Sequence, residues 1–343
     1  MGAFDFVKIF RVNKSISIDL GTANILIYDK QRKKIVLNEP SVVARDRKTG
    51  KLIAVGREAR EMLGKTPDSI QAIKPLQDGV IADIDSTKEM ITYFIHKIYG
   101  NSLFKPEVMI CVPIEVTSVE RKALFDAVKG AKKTYIIEEG RAAIIGSGVD
   151  ISQPEGSMVI DIGGGSTDIA ILSLDEIIAS KSIRIAGNRF DEDIVRYVKR
   201  KYNLLIGDRT AEKIKKELGS ALKVQSPEVM EIKGRDLETG IPNTVEVNAN
   251  EIYEAIEDSL FQIVNSTKEV LEKCPPELAA DILDNGIVMT GGGSLIRNFI
   301  DMMEKEVGIK VFLSPNRLDS VVLGGGAAFD NKKLLRTLQM KEN

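Results

Sequence analysis

The chain has no tryptophan, one histidine and two cysteines in 343 residues. The single histidine, His96, has no Cys or His near it in sequence, which leaves nothing to build a zinc site or a His-dependent triad. Cys111 and Cys274 are too few for a disulfide scaffold; both sit among apolar residues and read as small core side chains of a cytosolic protein. No apolar run is long enough to span a bilayer, and no signal peptide precedes the first strand. Charge of either sign is not in excess. With 48 basic against 50 acidic residues the net charge is -2, so no global basic field argues for nucleic acid. The clusters Arg32-Lys33-Lys34 and Lys199-Arg200-Lys201 read as solvated turns and helix faces.

What is present is a soluble globular composition, 43% hydrophobic and 29% charged, on a chain too long for one ordinary core. Two stretches repeat one device. SISIDLGTANILIY (15–28) and MVIDIGGGSTDIAIL (158–172) each run an apolar strand into an Asp, a glycine-bearing turn and a second apolar strand. A glycine turn lets backbone N–H groups approach an anion closely, and an Asp at a strand end can hold a divalent cation through its waters. Two such hairpins facing each other across a cleft would grip the phosphates of one nucleotide. A single glycine turn between strands is most often only a tight turn, but two copies and a third glycine run, TGGGSL (290–295), make a stronger pattern.

Along the chain, short strands are expected at 41–44 and 52–55 with a helix near 58–63, then a helix over 86–99. Val108–Val112 and Thr134–Ile137 read as buried strands flanking a helix at 118–130. After the second hairpin come a strand (179–185), helices at 191–202 and 210–222, and a ribbon of 229–233 with 245–248. A helix over 250–273 leads to a strand at 286–290 and the third glycine run. Strands alternating with helices indicate an α/β fold, and the recurring hairpin indicates two related halves, each with a smaller insert.

The motifs IDLGTAN, LNEPSVVA, IKPLQDGVIADID, IEEGRAAIIGSG, VIDIGGGSTDIAI, KYNLLIGDRTAEKIK, PPELAADIL and IVMTGGGSLI resemble the MreB family of bacterial actins, in the same order and over about Ser15 to Asp330. The hairpins alone indicate the wider superfamily of actins, heat-shock chaperones and sugar kinases; LNEPSVVA, LLIGDRTAE and PPELAADI narrow it. The resemblance implies an actin-like fold, two related α/β halves around an ATP cleft. The first-half core is then 1–40, 75–152 and 320–343 with insert 41–74. The second-half core is 153–188 and 253–319 with insert 189–252.

By the same resemblance Gly21, Thr22, Ala23 and Asn24 form the first phosphate loop, and Gly163, Gly164, Gly165 and Ser166 the second. Eukaryotic actin has lysine where MreB, and this chain, have Asn24. Asp19 and Asp161 would order Mg2+ through its water shell, although an Asp ending a strand can also simply cap a turn. Glu139 would orient the attacking water and Thr167 would help hold it; a purely structural role for Glu139 is a favourable charge at a helix N-terminus. Glu212 and Lys215 match positions that meet ribose and adenine, against the plainer reading of a surface ion pair. Gly187, Gly291, Gly292, Gly293 and Ser294 would let backbone pass close to the nucleoside. Two departures stand beside the hydrolytic pair. Gly140-Arg141 replaces the usual Pro-Met, and Ser166-Thr167-Asp168 the usual Thr-Thr-Glu, which points to a looser loop.

Two segments look suited to a membrane surface. MGAFDFVKIF places Phe6 and Phe10 at i, i+4, with Phe4 and Val7 alongside and Lys8 and Arg11 able to reach headgroups. Leu103 and Phe104 sit in a polar turn and coincide with the membrane-insertion loop of the resembled family. The plainer reading of both is packing on neighbouring core. The expectation that the resemblance implies is an ATPase with ATP/ADP and Mg2+ as cofactors, self-assembling into filaments of paired protofilaments and serving cell shape. It would be cytoplasmic and peripheral on the inner face of the membrane, with other cytoskeletal or morphogenetic proteins as partners and no nucleic acid. Rival readings are a sugar or acetate kinase, for which no substrate-base segment stands out, and a filament protein with weakened hydrolysis. A heat-shock chaperone would carry a further domain beyond Asp330.

Overall fold

The computed structural model describes residues 14–100 and 105–340. These fall into two compact units: residues up to 112, 116–138 and from 321 onward in the first, 113–115 and 139–320 in the second. The boundary lies between Glu138 and Glu139, so the stretch 139–152, expected with the first half, clusters with the second.

In the first unit β1 (Ser15–Leu20), β2 (Asn24–Asp29) and β3 (Lys34–Pro40) form an antiparallel meander. An insert follows, with β4 (Val43–Asp46), β5 (Leu52–Val55) and β6 (Ile70–Ile73) in the order β5-β4-β6 beside a helix Arg57–Met62. It has its own small core of Val42, Ala44 and Ala59. A two-stranded hairpin, β7 (Leu76–Gln77) and β8 (Val80–Ile81), turns through Asp78 and Gly79, both at positive φ. That is the backbone an Asp-Gly hairpin turn requires. The helix Ile84–Tyr99 starts where Asp83 accepts Ser86 N–H at 2.9 Å, and Ser118–Ala127 starts on a Thr117/Glu120 capping box. Between and after them, β9 (Glu107–Val112) and β10 (Lys133–Glu138) complete a five-stranded sheet, β10-β9-β1-β2-β3, with β1, β9 and β10 parallel.

The second unit repeats this plan. β11 (Ser157–Ile162), β12 (Thr167–Ser173) and β13 (Glu176–Ile183) form the meander. An insert contains β14 (Leu204–Leu205), β15 (Val229–Asp236) and β16 (Pro242–Asn248). β17 (Ile287–Thr290) and β18 (Val311–Leu313) then join parallel to β11, giving β13-β12-β11-β17-β18. Strand for strand, pairing and direction match the first unit, which is the physical content of the repeated sequence device. Every residue of β12 is buried, as expected for a strand covered on both faces. The helix Ala249–Glu272, begun by an Asn248/Glu251 capping box, covers the sheet with Ile252, Ile256, Leu260 and Ile263, all fully buried.

The first unit is closed by the helix Ser320–Ala327, where Gly325 and Gly326 face Ser17, Cys111 and Tyr28 too closely for any side chain. Cys111 is buried and Cys274 half-buried, and neither is in a disulfide. Among the described residues no helix is long and apolar enough to cross a membrane.

Candidate functional site

Ligands of α/β sheets sit outside the carboxyl ends of parallel strands. In each unit that is where the glycine turns fall.

In the first unit Asp19 is the penultimate residue of β1, and Leu20 pairs with Ile25 to close the turn Gly21–Ala23. A side chain on Gly21 would lie 2.7 Å from Asn24 O. The turn is held by three bonds from outside it. Ser41 Oγ donates to Gly21 O at 2.6 Å, Ser41 N–H to Ala23 O at 3.1 Å, and Gly79 N–H to Thr22 Oγ1 at 3.2 Å. Because Thr22 accepts in that last bond, its hydroxyl proton remains available to an anion.

In the second unit Asp161 pairs across the hairpin with Asp168 and is buried at 6% exposure. The turn closes with Gly163 N–H donating to Ser166 O at 2.9 Å. The helix Gly187–Tyr202 begins directly against it: Gly187 N–H donates to Gly163 O at 3.2 Å and Asn188 N–H to Gly164 O at 2.7 Å. Two orphan donors of a helix start are thereby satisfied by the turn. Lys215 Nζ donates to Gly187 O at 2.7 Å and to Asp191 at 2.9 Å, pinning the same helix start. Glu212 instead pairs with Lys216 at 2.7 Å, so the expected Glu212/Lys215 positions share a helix face without forming an ion pair with each other among the described contacts.

The third glycine run packs on this hairpin. Gly291 has φ +83, and a side chain there would collide with Ile162 O and lie 2.6 Å from Asp161 Oδ1. Gly292–Leu295 forms a short 3-10 turn closed by Ser294 Oγ donating to Gly291 O at 2.6 Å. Asp161, Gly163–Ser166, Gly187, Lys215 and Gly291–Ser294 are thus gathered at one end of one sheet.

Thr167 is buried and donates its hydroxyl to Ile185 O at 2.6 Å. Asp168 is buried at 1% exposure; burial pushes its carboxyl up to about 6, against the bonds it accepts from Ile114 N–H, Ser182 and Ser166. Glu139 is the first residue of the helix Glu139–Gly146 and is half-buried. Here the loop departs from expectation: Gly140 and Arg141 are both buried, and the space beside Gly140 is filled by Ala170 and Ile114. The turn is packed, not loose. Arg141 is not among the expected site residues; a charge directly before the apolar run AAIIG is the signal that marks it.

Among the described residues no group of three or more His, Cys, Asp or Glu is arranged to hold a metal. Mg2+ is commonly held by one or two carboxylates together with substrate phosphates, so single Asp side chains at strand ends fit that ion.

Phe4, Phe6, Phe10, Leu103 and Phe104 lie outside the described residues. The flanks of both segments meet at the opposite, amino-terminal end of the first sheet. Glu107 N–H donates to Lys14 O at 2.7 Å and Lys132 N–H to Pro106 O at 2.8 Å. Lys14 lies over the Tyr99 ring, one residue before Gly100. Arg32, Lys33, Lys34, Lys105, Lys129, Lys132 and Lys133 are exposed around this end.

A family model described as MreB/Mbl protein matches residues 13–337. The chain is 49% identical over 321 residues to the cell shape-determining protein Mbl of Bacillus subtilis, covering 93% of this chain and 96% of that one. It is 47% identical over 326 residues to the cell shape-determining protein MreB of Escherichia coli, covering 93% and 94%. Among solved structures, MreB5 of Spiroplasma citri bound to ADP superimposes with TM-score 0.88 at 38% identity, over 95% of this chain and 98% of that one, and its AMPPNP complex does so equally. A MamK double helical filament gives TM-score 0.79 at 21% identity, over 93% and 99%, a likeness of fold. With its duplicated sheets, its paired Asp–Gly turns and these relatives, the chain belongs to the MreB/Mbl family of cell shape-determining proteins and has the actin-like fold.

Proposed function

We propose that the protein binds and slowly hydrolyses ATP and polymerises into filaments on the inner face of the membrane, in the service of cell shape. The observation that carries this reading is the Asp–Gly turn repeated at the carboxyl end of a topologically matched sheet in each unit. The ADP and AMPPNP held by MreB5 support the choice of nucleotide. The four-part division into cores and inserts remains part of this reading.

Gly21–Asn24 and Gly163–Ser166 offer backbone N–H groups to phosphate oxygens, and Thr22 adds a hydroxyl proton. Asp19 and Asp161 would hold Mg2+ through water, and the bound ion would neutralise charge developing on the phosphates. Gly187, Glu212, Lys215 and Gly291–Ser294 surround the nucleoside. Glu139 accepts a hydrogen bond from the attacking water and so orients it. Thr167, its own proton committed to Ile185 O, offers that water a lone pair. Positioning of this kind suffices for slow turnover, because phosphoryl transfer needs little covalent help.

Membrane attachment uses Phe4, Phe6, Phe10, Leu103 and Phe104. The cationic end of the first sheet, where both segments join the fold, supports this. Each anchor is weak alone and is multiplied along a filament.

The decisive experiment is vesicle pelleting with electron microscopy and phosphate-release measurements, with ATP, ADP and no nucleotide. Lipid-bound filaments with phosphate release are expected. Soluble monomers under every condition would overturn the cytoskeletal reading, and filaments without phosphate release would leave a polymer with lost hydrolysis.

A further inference from the structure

We propose that Arg141 is a positioning residue for Glu139, acting through an ion pair with Glu176 that sets the rotation of the helix Glu139–Gly146. The inference rests on the hydrolysis reading above and names a residue that reading does not use.

Arg141 is 6% exposed in the first turn of that helix. Arginine is rarely buried so deeply without a partner, and a cation is disfavoured at a helix amino terminus. Its guanidinium lies 3.6 Å from the Glu176 carboxylate, at the start of β13. The turn that presents Glu176 is itself fixed: Leu174 N–H donates to Gln153 O at 3.1 Å and Asp175 N–H to Ile151 O at 2.8 Å. The anchor point is therefore a held element, although the carboxylate is solvent-facing.

Between Glu139 and Arg141 lies Gly140, whose missing side chain would sit 3.1 Å from Ala170 Cβ and 3.3 Å from Ile114 Cδ1. Successive helix residues are turned by about 100°, so Glu139 and Arg141 project to either side of the Gly140 contact. A contact made by glycine is smooth and resists rolling poorly. Fixing Arg141 on one side of this pivot fixes the direction of Glu139 on the other. Ile114 links the pivot onward, because its N–H is held by Asp168, the neighbour of Thr167. Both proposed hydrolytic groups are thus referred to one packed frame.

The test compares wild type with Arg141→Met, Arg141→Lys, Glu176→Gln, the double variant Arg141→Met with Glu176→Gln, and Arg141→Met in a Glu139→Ala background. Met fills similar space without charge. The readouts are kcat for phosphate release, nucleotide affinity by titration, and Tm. Arg141→Met and Glu176→Gln should each lower kcat, Arg141→Met by about tenfold, with affinity within about twofold. Arg141→Lys should restore most of the rate, the double variant should be no slower than Arg141→Met, and Arg141→Met should have no further effect once Glu139 is Ala. Wild-type kcat in both single variants overturns the proposal, as does a rate loss that persists undiminished without Glu139 or that tracks Tm and affinity together. If Arg141→Met does not fold, Glu176→Gln, at an exposed carboxylate, decides alone. A wild-type protein that releases no phosphate sinks the hydrolysis reading and this assignment with it; a wild type that turns over beside unaffected variants sinks only the assignment.

Discussion

Thr167 and Ile185 are joined by a 2.6 Å hydrogen bond in which the threonine hydroxyl is the donor. That single bond decides the polarity of the side chain: toward any water it can only accept. Glu139 is also an acceptor when ionised, so the two groups can orient one water by drawing on its two protons. Glu139→Ala is expected to lower phosphate release while leaving nucleotide binding nearly intact, because a group acting on the attacking water affects turnover and not ground-state affinity. Phosphate-release assays paired with nucleotide titration check this, and wild-type turnover in the variant would remove Glu139 from the mechanism.

Asp161→Ala should shrink the thermal stabilisation conferred by Mg-ATP. The substitution removes a buried carboxylate that borders the Gly291 turn and lies at the end of β11. A ligand stabilises only as far as it prefers the folded state, so weaker binding appears directly as a smaller shift. Thermal melts with and without Mg-ATP supply the measurement, and an undiminished shift would count against Asp161.

Much of this architecture was legible in the sequence because it is written in local patterns. Both hairpins, the helix at 249–272 and the ribbon of β15 and β16 follow from alternation or helical spacing and lie within a few residues of expectation. The helix Ser320–Ala327 was not legible: SVVLGGGA contains three glycines, and tertiary contact with Ser17 and Tyr28 is what requires two of them, Gly325 and Gly326. β18 is only three residues long, too short to show a period. The β7–β8 hairpin carries an Asp-Gly turn signal at Asp78-Gly79, but its two-residue strands are too short to show a period. In the candidate site the turns themselves were readable, but their supports were not. Ser41, Gly79, Ile114 and Asn188 reach the turns by backbone or small polar groups from elsewhere in the chain, and nothing in their local sequence announces it.

Gly325→Ala should destabilise the protein even though alanine favours a helix. The added methyl would collide with Ser17 Oγ and lie 2.9 Å from Cys111 Sγ, both fully buried. Overpacking of that kind costs about 1–3 kcal/mol, against about 1 kcal/mol gained in helix propensity. Urea denaturation should show a lowered midpoint; an unchanged or raised midpoint would mean the contact relaxes freely.

Glu251 should contribute a pH-dependent part of stability. Burial acts to raise its carboxyl, but bonds from Lys201, Tyr202 and Asn248 N–H outweigh it and hold the group below the usual range. A carboxyl lowered in the folded state stabilises above its unfolded pKa of about 4.3 and loses that contribution as pH falls through the folded value. Glu251→Gln is therefore expected to lower Tm at pH 7, with the difference narrowing below about pH 4. A gap that stays constant across the series would rule out an ionic origin.

Leu103→Ser with Phe104→Ser should leave ATP turnover largely intact while reducing co-sedimentation with anionic vesicles, and deletion of residues 2–10 should reduce it further. Full burial of a Leu or Phe side chain is worth about 1.5–3 kcal/mol, so either segment alone anchors weakly. Raising the salt concentration should weaken what remains, because the lysines around the amino-terminal end of the first sheet act through a screened field. Pelleting unchanged in the combined variant would end the membrane reading.

The division of the chain into units also dictates an order of assembly during synthesis. β1 is made well before the second unit, yet one face of its sheet is covered only when Gly325 and Gly326 settle on Ser17 and Tyr28 and the Phe329 ring meets Tyr135 edge-on. The second unit, by contrast, draws almost wholly on the continuous stretch 139–320. Multidomain chains generally fold from the amino terminus as they emerge. Here the unit begun first is finished last: the helices Ile84–Tyr99 and Ser118–Ala127 cover the apolar face of its sheet early, but the face bearing Ser17, Tyr28 and Tyr135 stays open until residues 325–329 have been made. That interval is when a chaperone has most to do, and a chain exposed from the ribosome only as far as residue 320 would present one completed unit and one still open.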